Sequence, residues 1–327
     1  MSRKSDKKMK IRYQMRRAHT RRLLSGCTIV AALAASRAVA VQPGVHELTL
    51  PQPLQVATAA CAPVPATAPS RPLDLRRTFH EDFRHIDANS LAGDSARGWR
   101  GYFPYAAPDQ FGAHTLPSTH EREIYVYPSY RGSALEPLGL NPLLYRRGGL
   151  EIHAARVPAR LRNWLYNYPY YSGLLQSHDL FSQRYGYFEI RARMPRGHSM
   201  WPAFWLLDFH KAWPPEIDVL EMMDGRHPDI ITQTTHWKDP VNGQHRMSWC
   251  RIDVPQADAR MHRYGVLWTP SRITYYVDRK PTFTLATPAG LDQPMYMLID
   301  LAVENNVDPS SPVDASFVLG GVSVWAY

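Results

Sequence analysis

The C-terminal two thirds of the chain alternates between apolar and polar positions. From Tyr185 to Met194 large apolar residues trade places with polar ones, and the pattern stops at Pro195-Arg196-Gly197. A period of two marks a strand with one buried face. Arg272 to Asp278 is β-branched and aromatic and ends at Arg279-Lys280-Pro281. Phe317-Val318-Leu319 and Val322-Ser323-Val324-Trp325 read as a closing strand around Gly320-Gly321. Short strands broken by Gly and Pro, with few windows of helical period, predict an all-β sandwich. One short helix is expected within 255–263.

Upstream the alternation is lost. Residues 51–72 hold six prolines among Ala and Thr, a mixture that neither a helix nor a central strand accepts. The chain is therefore divided into a linker over 41–77 and one domain over 78–327. A domain of roughly 250 residues suits a single large β-sandwich. Residues 1–22 are strongly basic; a 13-residue apolar run, Leu23 to Ala35, and then Ala38-Val39-Ala40 follow. That order is the order of a secretory signal peptide, cut after Ala40. The apolar run is shorter than the ~18 residues that span a bilayer; an uncleaved anchor is the alternative. Export predicts a secreted or periplasmic protein.

Charge changes the picture less than its total suggests. The formal net charge is +9, but residues 1–40 carry 11 of the 38 Lys and Arg and one of the 29 Asp and Glu. What remains is 27 basic against 28 acidic side chains. No nucleic-acid partner is expected, and no stable membrane partner. The three cysteines, Cys27, Cys61 and Cys250, form no Cys-x-x-Cys pair, so a thiolate zinc site is excluded. Without the leader, Cys61 and Cys250 either pair and pin the linker to the domain or stay as free thiols.

The richest chemistry lies in Trp213 to Gly225, WPPEIDVLEMMDG. In a strand Glu216 and Asp218 share a face while Ile217 and Val219 enter the core. Glu221 stands five residues after Glu216, so a regular strand would bury it. One extra residue, a β-bulge near Val219-Leu220, returns it to the acidic face. Glu216 and Glu221 are then about four strand steps apart, roughly 13 Å between Cα atoms. Side chains leaning together reach the ~5–5.5 Å of a retaining glycosidase. There one carboxylate attacks the anomeric carbon, and the other arrives protonated and later serves as base. A third acid between them holds the protonation states apart. The rival readings are a solvent-facing strand, which must bear the repulsion of like charges on one face, and a divalent-cation site made of the same acids.

Aromatic residues surround this segment. Trp201 and Trp205 have the same parity and share a strand face; Thr234-Thr235-His236-Trp237 offers an imidazole beside an indole. Trp164, Tyr166, Tyr168, Tyr170 and Tyr171 crowd a third stretch. Any one of these is as readily a core residue. Together, beside the acids, they predict a sugar-binding cleft. The candidate substrate-binding residues are Trp201, Trp205, Trp213, His236, Trp237 and Glu121.

Tyr185-Gly186-Tyr187-Phe188-Glu189, then Trp201-Pro202-Ala203-Phe204-Trp205-Leu206-Leu207, then Glu216-Ile217-Asp218-Val219-Leu220-Glu221, in this order and spacing, resemble glycoside hydrolase family 16. Glu121-Arg122-Glu123-Ile124-Tyr125 and Tyr264-Gly265-Val266-Leu267-Trp268-Thr269-Pro270 extend the resemblance from about residue 79 to the C-terminus. The family implies a β-jelly-roll of two curved antiparallel sheets with an open concave cleft. It also implies hydrolysis of internal β-glycosidic bonds with retention. Carried over by position, Glu216 is the nucleophile, Glu221 the acid/base, Asp218 the assisting acid and His236 a polar neighbour. The bulged form, together with Tyr171-Ser172-Gly173-Leu174-Leu175, is similar to secreted bacterial glycanases acting on β-glucan or exopolysaccharide. No organic cofactor and no catalytic metal are expected. The family's calcium-binding closing strand lacks its Asp at Leu319-Gly320-Gly321-Val322, which argues against a structural calcium. The expected partner is a polysaccharide and the expected state a monomer. A transglycosylase on the same site and a non-catalytic lectin-like module are the alternative functions.

Overall fold

The computed structural model describes residues 61, 75–95, 98–223, 225, 227–307 and 312–326. The signal peptide, and the linker apart from Cys61 and 75–77, lie outside these residues. Seventeen strands follow in chain order: β1 Arg76–Glu81, β2 Glu123–Tyr125, β3 Leu143–Arg146, β4 Gly149–Arg156, β5 Tyr170–Ser172, β6 Leu174–Gln176, β7 Ser182–Gln183, β8 Gly186–Arg193 and β9 Met200–Asp208. They continue with β10 Glu216–Glu221, β11 Ile230–Lys238, β12 His245–Asp253, β13 His262–Trp268, β14 Arg272–Val277, β15 Lys280–Ala286, β16 Met295–Val303 and β17 Asp314–Ala326. One α-helix is described, a single short turn at Ala88–Ala92 capped by the Asp87 side chain.

Two sheets stack face to face. The larger runs β15-β14-β13-β8-β17-β4-β5-β2, with β1 on β17 and β3 on β4; the smaller runs β12-β11-β10-β9-β16-β6, with β7 on β16. Every pairing is antiparallel except β2 with β5. This is the all-β sandwich that the alternation predicts, in the jelly-roll form that the family resemblance implies. Between the sheets lies one large apolar cluster. It takes Phe188, Ile190 and Ala192 from β8, Phe204 and Leu206 from β9, and Met297, Ile299 and Leu301 from β16. Each set is spaced by two, so the opposite face of each strand points out of this core.

The outward face of β8 is also covered. Glu189 is buried and receives Arg263 at 2.8 Å, Arg279 Nε and Nη2 at 2.8 and 2.9 Å, and the Tyr187 hydroxyl at 3.0 Å. Four donors on one carboxylate satisfy a charge that burial alone would penalise. β1 begins at Arg76, so the first strand takes in Arg76 and Arg77 from the segment read as linker. Residues 255–260 form turns and β13 starts at His262, so no helix forms within 255–263. Cys61 and Cys250 are paired, with Cα atoms 5.2 Å apart.

Phe188 is fully buried on the larger sheet, away from the opposite outer face of the smaller one. Phe188→Ala is expected to cost about 3–5 kcal/mol, read as a lowered midpoint in urea unfolding with the slope unchanged.

Candidate active site

The outward face of the smaller sheet lines a cleft of about 920 Å³. Its walls come from Trp201, Ala203, Trp205 and Leu207 of β9, Glu216, Asp218 and Glu221 of β10, Thr232, Thr234 and His236 of β11, Met247, Trp249 and Arg251 of β12, and Asp300 and Ala302 of β16. Beneath the flank at β9 and β16 a second apolar cluster, Phe103, Tyr125, Leu174, Trp205, Leu207, Tyr296 and Leu298, forms the floor.

The three acids reach one face through a bulge. Asp218 pairs with Thr234 and Glu221 pairs with Thr232. Val219 and Leu220 thus oppose the single residue Gln233, and both side chains are fully buried in the main core. The register to β9 slips at the same place. A bulge leaves backbone groups without their ladder partners. Gln233, itself fully buried, donates from its side-chain amide to the Val219 carbonyl at 3.3 Å and to the Tyr276 carbonyl at 3.3 Å. Its own amide oxygen accepts from the Thr282 hydroxyl at 2.6 Å.

Two indoles hold the outer acids. Trp213 Nε1–H donates to Glu216 Oε2 at 2.5 Å, and Trp201 Nε1–H donates to Glu221 Oε1 at 3.0 Å. Between them His236 Nε2 lies 3.0 Å from Asp218 Oδ2, an oxygen with no hydrogen-bond donor among the described residues. Burial pushes all three carboxyls up. For Glu221 burial comes first and the negative charge of Glu216 second, and together they carry it to about 7. Burial and then Asp218 push Glu216 well above the carboxylate range; burial and then Glu221 do the same to Asp218. Acids this close cannot all ionise, so the trio shares protons at neutral pH, and its titration belongs to the group.

The other candidates separate. Trp201, Trp205, Trp213, His236 and Glu121 all line the cleft. Glu121 sits on the flank, accepting from Thr119 Oγ1 at 2.8 Å and from the Tyr125 hydroxyl at 3.1 Å. Trp237 does not line it: the side chain packs against the main core. Adjacent residues of a strand face opposite ways, and His236 already takes the cleft side. Among the stretch from Trp164 to Tyr171, Tyr170 is buried in the core, and Phe111 takes the rings of Tyr166 and Tyr168 at 4.7 and 5.8 Å. None of these five lines the cleft.

Sequence reasoning also missed cleft residues. Asp300 accepts from Trp205 Nε1–H at 2.7 Å and from the Tyr125 hydroxyl at 3.4 Å. Its signal was available: β16 reads MYMLIDLAV, a single acid in an otherwise apolar strand. Trp249, Met247 and Arg251 of β12, and Tyr105 and Met223 of the loops, are further lining residues that no motif announced.

Glu216, Asp218 and His236 each offer a donor atom, all within 4.8 Å of one another. Two carboxylates and an imidazole at that spacing suffice to attract a divalent cation. In the arrangement described Glu216 takes the Trp213 indole N–H, His236 meets the His245 ring, and His236 lies against Asp218.

Residues 144–303 match the family model for glycosyl hydrolases family 16. The chain belongs to this family. It is similar to two endo-1,3-1,4-beta-glycanases of Rhizobium meliloti (strain 1021). It is 37% identical to ExsH over 70% of this chain and 46% of that one, and 35% identical to EglC over 76% and 50%. The chain thus spans about half the length of these curated relatives. Its fold is shared with the laminarinase catalytic domain of Thermotoga maritima MSB8, at a TM-score of 0.59 and 20% identity, covering 78% of this chain and 99% of that one. The bulged acidic strand lies within the matched span of the family 16 domain.

Glu221 is expected to titrate near about 7. Glu216→Gln removes a negative neighbour and lowers that value, while Trp201→Phe removes the indole donor and raises it. Carbon NMR of glutamate-labelled protein reads both shifts.

Proposed function

We propose that the protein is an endo-acting β-glycanase that cleaves β-glucan or a related bacterial exopolysaccharide with retention of configuration. The observation that carries this is the bulge, which sets Glu216 and Glu221 on one cleft face with Asp218 between them. In this reading Glu216 attacks the anomeric carbon and Glu221 protonates the departing oxygen. The glycosyl ester on Glu216 is then hydrolysed by water that Glu221, now ionised, deprotonates. Asp218 and His236 adjust the charge beside the nucleophile. The Trp213 indole N–H stabilises the ionised form of Glu216 needed for attack.

The cleft suits an internal stretch of polymer. Its lining runs across five neighbouring strands from β16 to β12, roughly 19 Å at the ordinary strand spacing. Tyr105, Trp213, Met223 and Met247 line it and are 46%, 58%, 50% and 36% exposed. Apolar side chains concentrated in a groove mark a binding surface, and rings such as these stack on sugar faces. The names of the R. meliloti relatives give the substrate class to test first, mixed 1,3-1,4 β-glycans. The basic-apolar-small leader supports export to the polymer.

Reducing ends released from a panel of β-glucans and exopolysaccharides test this reading, with proton NMR of the first product. The β-anomer is expected first, and Glu216→Gln and Glu221→Gln are each expected to lower turnover by at least ~10²-fold. An α-anomer first, or near-parent activity in either variant, overturns the assignment. Because Glu221 must enter protonated and Glu216 ionised within a trio that shares protons, activity is expected to be bell-shaped in pH, with its basic limb at about 7.

A further inference from the structure

His245 has no role in the reading above, yet it touches two of the groups that serve the acids. His236 Nδ1 lies 2.8 Å from His245 Nε2, and the two rings stack at 5.1 Å with 17° between their planes. On the other side the Trp213 ring lies 4.9 Å from His245. Trp213 is 58% exposed, and its ring neighbours among the described residues are these two imidazoles. The hairpin explains the meeting. β12 pairs with β11 so that Lys238 faces His245 and His236 faces Met247. His236 and His245 are therefore diagonal neighbours on one sheet face, within ring reach.

We propose that His245 is a positioning residue, fixing the tautomer of His236 beside Asp218 and the indole of Trp213 on Glu216. The argument is one of proton counting. Two ring nitrogens 2.8 Å apart hold one proton between them. The other nitrogen of His236 lies 3.0 Å from Asp218 Oδ2, a buried oxygen that no other donor among the described residues reaches, so wherever Asp218 is ionised a proton on Nε2 is favoured there over a lone pair. A neutral His236 protonated on Nε2 has a bare Nδ1, and His245 must donate to it. Without that donor the opposite tautomer competes, and it turns a lone pair toward Asp218. Burial and the neighbouring His236 push the His245 imidazole below its ordinary range, which keeps it a neutral donor. The charges around the pair are Glu216 and Asp218 on β10 and Lys238 opposite in register. Asp239 and Arg246 at the hairpin end pair with each other at 3.0 Å.

His245→Phe and His245→Gln test the proposal, which uses the glycanase reading only for its activity arm. Phe keeps a ring for Trp213 but removes the nitrogens; Gln returns an amide N–H close to the lost Nε2–H. In the parent the long-range proton–nitrogen NMR spectrum is expected to show His236 protonated on Nε2. In His245→Phe that signal is expected to shift toward mixed tautomers, with kcat/KM down at least ~10-fold, the scale of a lost orienting hydrogen bond. His245→Gln is expected to restore the Nε2–H signal and most of the rate. A parent-like His236 spectrum and rate in His245→Phe overturns the proposal. So does an equal loss in both variants at unchanged thermal stability, since Gln then rescues nothing. If the parent cleaves no glycan, the glycanase reading fails, and the His236 spectrum alone decides the positioning role.

Discussion

Two residues of β10 face one residue of β11, and the cleft depends on that mismatch. A strand has a strict period of two, so acids at 216, 218 and 221 cannot share a face without an insertion. The alternative register would drive Glu221 between the sheets, among Phe204, Ile217 and Ile231, where an unpaired carboxylate is costly. The bulge instead sends Leu220 into the core beside Val219, so an apolar side chain takes the place Glu221 would have had. The remaining difficulty is the Val219 carbonyl. Gln233, the residue opposite the bulge, supplies a side-chain amide to it and is itself held by Thr282. A buried polar side chain in the middle of β11 is thus part of the backbone accounting of β10.

The site then concentrates charge that its surroundings oppose. Three carboxyls share a face with Asp300 and Glu121 close by, and burial drives their protonation upward. The donors that offset this are mostly indoles: Trp213 for Glu216, Trp201 for Glu221 and Trp205 for Asp300. An indole is a neutral donor, so it stabilises a carboxylate without cancelling its charge. A Lys or Arg in the same place would hold each acid ionised and remove the proton that a general acid needs. The same rings also present apolar area to the cleft.

Much of this was legible in the sequence because the signal was local. The acid spacing contradicts a regular strand while Val219-Leu220 stays apolar, so both the bulge and its position could be read. The strands at Tyr185 and Arg272 announced themselves by alternation and closed at Gly or Pro. The illegible parts were set by partners far along the chain. Glu189 reads as an outward polar residue, and only the pairing of β8 with β13 brings Arg263 beside it. The aromatic stretch near Trp164 lies close in sequence to cleft elements but packs elsewhere, with Phe111 and the core. Trp237 is a different case: its parity against His236 already places it on the core side. Asp300 was readable on the same logic, as one acid in an apolar run.

The position of the acids within the sheet has its own consequence. β10 is two strands from the β12 edge, and β12 brings Met247, Trp249 and Arg251 to the cleft lining, with His245 on the same sheet face. Edge strands are anchored on one side only and open more readily than central ones. An edge that must hold an imidazole within hydrogen-bond distance of His236 needs further restraint. Cys250, buried on the core side between Trp249 and Arg251, is bonded to Cys61, 189 residues earlier in the chain. The hairpin end is tied by Arg246 on Asp239, and the sheet above by Tyr275, whose hydroxyl meets Thr235 of β11 at 2.7 Å. Nine-residue strand pairing, hairpin ion pair and disulfide thus all meet on the edge strand that carries His245.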